Sequence, residues 1–167
     1  MGSLAWADDI SRLSDFSTSE IVRSGAFILQ IGDRNTAAID QGYQPWAIDR
    51  EYVDIAQSGN DNKASTTQAG DVNRARISQD GSSNTATVSQ SGFRNVIDIA
   101  QGGAGNTVVA SQNGNDNIIV DSQSGGNQAT LTEIGNNNSI VINQSQSQKS
   151  MNVSIKLNGG MSVKQNY

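Results

Sequence analysis

The sequence predicts an all-β fold: a two-sheet β-solenoid of about 22 residues per rung, strand-turn-strand, with amyloid-like cross-β stacking. Three observations predict it. Gln recurs every eleven residues, Gly follows each Gln at a fixed distance, and the residues between alternate small or apolar with polar.

The Gln column sets the period. Gln57, Gln68, Gln79, Gln90, Gln101, Gln112 and Gln123 are each eleven residues after the last. Two residues beyond them stand Gly59, Gly70, Gly81, Gly92, Gly103, Gly114 and Gly125. Five residues beyond the first six stand Asn62, Asn73, Asn84, Asn95, Asn106 and Asn117. Upstream, Gln30, Gly32, Asn35 and Gln41 make a further unit. Downstream one residue is lost, so Asn127 arrives early, Glu133 takes a Gln place, and Gly135, Asn138 and Gln144 follow. Beyond Gln144 the alternation persists through Met151, Val153, Ile155, Met161, Val163 and Gln165, but the Gly and Asn turn residues are gone. About thirteen strand-length units run from Gln30 to Gln165.

Each unit reads as a half-buried strand. In the unit at Asn73, the residues Asn73, Ala75, Ile77, Gln79 and Gly81 share one face, and Arg74, Arg76, Ser78 and Asp80 share the other. The inward pairs are small or branched: Ala64/Thr66, Ala75/Ile77, Ala86/Val88, Ile97/Ile99, Val108/Ala110, Ala129/Leu131 and Ile140/Ile142. The odd spacing from Gly81 to Asn84 demands a corner, where Gly supplies the positive φ. Two units then close one rung, and Gln57 stacks over Gln79, Gln101 and Gln123. Buried amides directly above one another satisfy each other's donors and acceptors, which a lone buried Gln cannot do. The winding also places Asp54, Arg76 and Asp98 on successive rungs, alternating in charge.

Composition alone points to disorder, since 35% hydrophobic residues among 167 offer little apolar burial to offset chain entropy, and it is the order along the chain that reverses this. Composition does exclude several other classes. The net charge is -5, which does not favour nucleic acid, and none is required as a partner. With no Cys and no His, a disulfide framework is impossible and the commonest zinc ligands are missing. No metal, cofactor or small-molecule substrate is expected, and no apolar run is long enough to span a membrane as a helix.

By domain, 1–7 reads as a residual export-signal or vector-derived segment, since Ala5-Trp6-Ala7 before Asp8 fits a small-x-small cleavage pattern. Residues 8–25 form a pre-repeat segment, a cap or docking element, with Ile10, Leu13, Phe16, Ile21 and Val22 loosely at helical spacing. Residues 26–167 are the solenoid, with a bulge at 42–51 around Pro45 and Trp46 and degenerate repeats at 145–167.

The unit Gln-x-Gly-x-x-Asn-x-Ala-x-x-x-Gln, at Gln68–Gln79 and Gln79–Gln90, resembles the curlin repeat of bacterial curli subunits. The resemblance covers roughly residues 26 to 165. It implies a secreted subunit of an extracellular functional amyloid fibre, exported by curli machinery at the outer membrane, with fimbrial localisation and roles in adhesion and biofilm matrix. It implies self-association and association with other curlin subunits. Such subunits are either major fibre formers or minor nucleators. The degenerate, Lys-bearing end with Lys149, Lys156 and Lys164 resembles the minor type, as does the segment Ser19–Gln30; the close Gln165-Asn166-Tyr167 is more similar to the major type.

Two other classes were weighed. As an enzyme, a chain without His or Cys needs carboxylates, and Asp and Glu are expected at corners and outer faces with Glu133 alone inward. Glu133 as a tolerated variant of the Gln column is the simpler reading, so no catalysis is expected. A monomeric repeat adhesin or ice-binding solenoid needs regular Thr or Asp arrays, and here Thr is interrupted by Lys63, Ser65 and Val109.

Overall fold

The computed structural model describes residues 5–8, 25–42, 51–145, 149–156 and 160–166, and every regular element among them is a strand. One sheet holds, in spatial order, β1 (Ala5–Asp8), β3 (Thr36–Gly42), β5 (Lys63–Asp71), β7 (Thr85–Phe93), β9 (Thr107–Asn115), β11 (Gln128–Asn136) and β13 (Ser150–Lys156). The other holds β14 (Ser162–Asn166), β12 (Ser139–Gln144), β10 (Ile118–Ser124), β8 (Val96–Ala104), β6 (Arg74–Ser82), β4 (Tyr52–Asn60) and β2 (Gly25–Ile31). We call them the odd and even sheets. The chain alternates between them, one strand each, and every pair from β2 onward is parallel.

The registers are those of the expected 22-residue rung. Gln57 pairs with Gln79 and Gln79 with Gln101 in the even sheet; Gln68 pairs with Gln90 and Gln90 with Gln112 in the odd sheet. The lost residue near Gly125 shortens the offsets that span it to 21, from Gln112 to Glu133 and from Gln123 to Gln144. The first offset is 27, from Gln30 to Gln57, because the segment around Pro45 intervenes. That expected bulge lies, at 43–50, outside the described residues.

The core is a thin double column. Ala75, Ile77, Ile97, Ile99, Val108, Leu131 and Ile140 are all at most 1% exposed. Small or branched side chains let the two sheets approach closely, and stacking extends their burial along the axis. The outer faces differ: Arg74, Arg76, Asp98, Ile118 and Val120 lie on the even sheet, Ser65, Thr87 and Thr130 on the odd one.

At the amino-terminal end the topology departs from a plain stack. Ala5–Asp8, read above as a cleavage pattern, pairs antiparallel with β3, Trp6 opposite Ala38. The expected cap over 8–25 falls mostly on 9–24, outside the described residues.

Candidate functional site: amide ladders and rung ends

Both Gln columns are continuous hydrogen-bonded ladders. In the even sheet Gln30 Nε2 donates to Gln57 Oε1 at 2.6 Å, Gln57 to Gln79 at 2.7 Å, and Gln79 to Gln101 at 2.8 Å. Gln101 then donates to Gln123 at 3.0 Å and Gln123 to Gln144 at 2.9 Å. In the odd sheet Gln41, Gln68, Gln90 and Gln112 donate in the same sense. The second amide proton crosses the core: Gln79 Nε2 reaches the Lys63 carbonyl at 2.9 Å and Gln90 Nε2 the Arg74 carbonyl at 3.1 Å. The amides within the stack therefore bond both along it and between the sheets, which is how a fully buried primary amide is satisfied.

The Asn columns run in the opposite sense. Asn84 Nδ2 and its backbone N–H both donate back to Asn62 Oδ1 at 3.1 Å, and Asn106 does the same to Asn84. Asn73, Asn95, Asn117 and Asn138 repeat this at the other corner. Asn84 Nδ2 also donates forward to the Gly103 carbonyl at 3.1 Å, so one side chain ties three rungs. The ladders thus carry a direction: Gln donates toward the carboxyl-terminal end, Asn toward the amino-terminal end.

The corner glycines do more than supply φ. Gly32, Gly59, Gly70, Gly81, Gly92, Gly103, Gly114, Gly125 and Gly135 all have positive φ. A Cβ at Gly81 would also strike the carbonyl oxygen of Gly103 one rung on. A second positive-φ residue precedes most corner Asn residues: Asp61, Val72, Ser83, Arg94, Asp116 and Asn137 lie at φ 54–59°. Sequence reasoning missed this position, although Gly105 and Gly126 occupy it at two corners.

The model of the curlin associated repeat matches residues 59–92, the run from Gly59 to Gly92 in which Gln, Gly and Asn all keep their places. Over those residues the chain is similar to the curlin repeat. Neither a curated protein nor a solved structure matches it. The matched units are continuous, in register, with the curlin-type rungs on either side, so the same ladder chemistry extends beyond them.

Two features set this chain apart from a uniform stack. Asp121 is 1% exposed, between Ile99 and Ile142 in the even sheet, and neither carboxylate oxygen has a hydrogen-bond partner. The expectation that Glu133 alone points inward is thereby overturned. Asp121 lies two residues before the Gln123 anchor, which marks an inward position; the apolar run Ile118-Ile119-Val120 hides the phase. Glu133 is fully buried, its Oε2 accepting from Gln112 Nε2 at 2.8 Å, and its next neighbour in the column is Ile155. Burial pushes both carboxyls up to about 7, Asp121 by desolvation alone and Glu133 by desolvation against the opposing Gln112 hydrogen bond.

The charge column is in register, Arg76 between Asp54 and Asp98. Among the described residues the close ion pairs sit instead at corners, Arg34–Asp61 at 2.7 Å and Arg94–Asp116 at 2.6 Å. Both are bidentate, and the Arg hydrogen bonds lower the Asp61 and Asp116 carboxyls.

Proposed function

We propose that this curlin is a subunit of an extracellular curli-type amyloid fibre and plays the minor, nucleating role in it. The curlin repeat and the stacked parallel rungs support the fibre reading, because a solenoid without closed ends offers strand edges to further chains. One observation carries the nucleating role. The Gln ladders reach the first rung intact but stop before the last strands, with Ile155 in the Gln column of β13. Such a chain templates from one kind of rung and leaves the other end for a different use. On this reading it is secreted through the curli export machinery of the outer membrane, contacts other curlin subunits at the cell surface, and serves adhesion and biofilm matrix.

The role is structural rather than catalytic on the same reading. Supporting this, Glu133 is engaged by Gln112 within the core. The test is seeding: preformed aggregates of this chain at substoichiometric dose are expected to shorten the lag of a second curlin. No acceleration removes the nucleating role, and failure to form β-rich fibres over days at neutral pH removes the fibre reading. Loss of polysaccharide cleavage in Glu133→Gln, were any cleavage present, would restore the enzyme reading.

A further inference from the structure

The two ends of the even sheet are chemically unequal. At the amino-terminal end β2 is an edge strand whose inward residues, Ala26, Ile28 and Gln30, keep the repeat's pattern. Gln30 is 7% exposed, yet its Oε1 is buried with no hydrogen-bond partner, and among the described residues no Gln precedes it in the ladder to donate. Its outward residues Phe27, Leu29 and Ile31 are 57%, 53% and 60% exposed, a stripe suited to cross-strand contacts with another strand. The neighbouring edge of the odd sheet is already taken by β1 on β3. At the carboxyl-terminal end β14 pairs with Ser139–Asn143, and the buried Gln144 Nε2 has no acceptor.

We propose that the open edge of β2 is the docking surface for a parallel strand of a different curlin-repeat chain, one whose last even-type unit keeps its Gln. That strand's Gln Nε2 donates to Gln30 Oε1, as Gln30 Nε2 donates to Gln57 Oε1. The proposal rests on the fibre reading and adds its direction and its partner. A second copy of this chain is the rival, since Lys149, Lys156 and Lys164 would meet an end rich in Asp33, Asp40 and Asp54. Exposed pairs contribute little, because solvent screens them. An unmade bond to a buried amide oxygen costs the full desolvation of that group, and β14 brings no Gln to that column. The missing donor outweighs the charge attraction.

Because the chain has no Cys, single cysteines report the docking end. Phe27 and Lys164 lie in the same outward column as Arg76, at opposite ends of the sheet. A peptide copying residues 74–95 and carrying Arg76→Cys can therefore form a disulfide with either Phe27→Cys or Lys164→Cys in the full chain, depending on the end it docks to. Coupling to Phe27→Cys is expected to exceed coupling to Lys164→Cys at least tenfold, and to fall by a similar factor when the peptide also carries Gln79→Leu. Leu29→Cys with a Ser78→Cys peptide repeats the test one outward position along, should Phe27→Cys disturb the edge. Equal or greater coupling at Lys164, indifference to Gln79→Leu, or no coupling at either end would overturn the proposal. So would an efficient Phe27→Cys to Lys164→Cys disulfide between copies of the chain. Fibre formation by the uncoupled chain is read separately by thioflavin fluorescence, so failure of the fibre reading is distinguishable from failure of the docking site.

Discussion

At the residue scale the energetics are those of a shared amide. Gln90 accepts from Gln68 at 2.7 Å and donates to Gln112 at 3.0 Å, all three at most 1% exposed. Gln90→Leu removes a partner from both neighbours at once and is expected to cost about 2–4 kcal/mol. Gln30→Leu takes a donor only from Gln57, so its loss should be about half as large. Comparing the two by denaturant midpoint of the assembled protein checks the ladder; equal losses would show that the amides act independently. Val72 gives the opposite sign. It holds φ 59°, where a β-branched side chain is strained, and Val72→Asn is expected to gain about 1 kcal/mol by the same measurement. This second left-handed corner position was hard to see in sequence because Asp, Val, Ser, Arg and Asn all occupy it. The fold imposes the conformation whatever the side chain.

At the element scale, β10 and β11 form the one rung that carries two buried carboxyls. The inward residues facing Asp121 and Glu133 from the packed strands are Ile97, Ile99 and Gln101 of β8, Val108, Ala110 and Gln112 of β9, Ile140, Ile142 and Gln144 of β12, and Met151, Val153 and Ile155 of β13. None is ionisable, so neither carboxylate has a counter-charge. Both carboxyls titrate near 7 in the folded chain and near 4 when unfolded. The folded state therefore holds the protons more tightly. The stability these groups add is complete below about pH 4 and is lost as pH rises through about 7. Assembly is expected to be firmer at pH 5 than at pH 8. Asp121→Ile, which restores the column residue, should remove about half of that dependence, leaving the share of Glu133, and stabilise the pH 8 form by roughly 2–4 kcal/mol. Denaturant midpoints at the two pH values check this, and a dependence unchanged in Asp121→Ile would refute it.

At the scale of the whole molecule, each rung touches only the rungs above and below, so the fold is close to one-dimensional. Deleting Arg74–Asn95 removes one full rung and joins Asn73 to Val96 with every column kept. The shortened chain is expected to stay β-rich and assembly-competent, losing about a rung's share of stability. A further penalty below about 1 kcal/mol arises where Asp54 then faces Asp98 on the exposed sheet. Circular dichroism and thioflavin kinetics on the deletion check it; a disordered product would mean that the rungs are not interchangeable.

The sequence by itself determined the rung, the inward columns, the glycine corners and the pairing of Gln with Gln. These follow from local alternation and a fixed period, and an eleven-residue repeat leaves little choice of register. The tertiary structure decided what depends on neighbours above and below. It set the opposite senses of the Gln and Asn ladders, since an amide can satisfy its stack by donating either way and only the rung geometry selects one. It placed β1 antiparallel against β3, a long-range pairing with no periodic signal. It made Gly81 necessary through the Gly103 carbonyl as well as through φ, because rungs stack at strand spacing. And it left Gln30 Oε1 buried without a donor, because among the described residues no Gln stacks before it in the ladder.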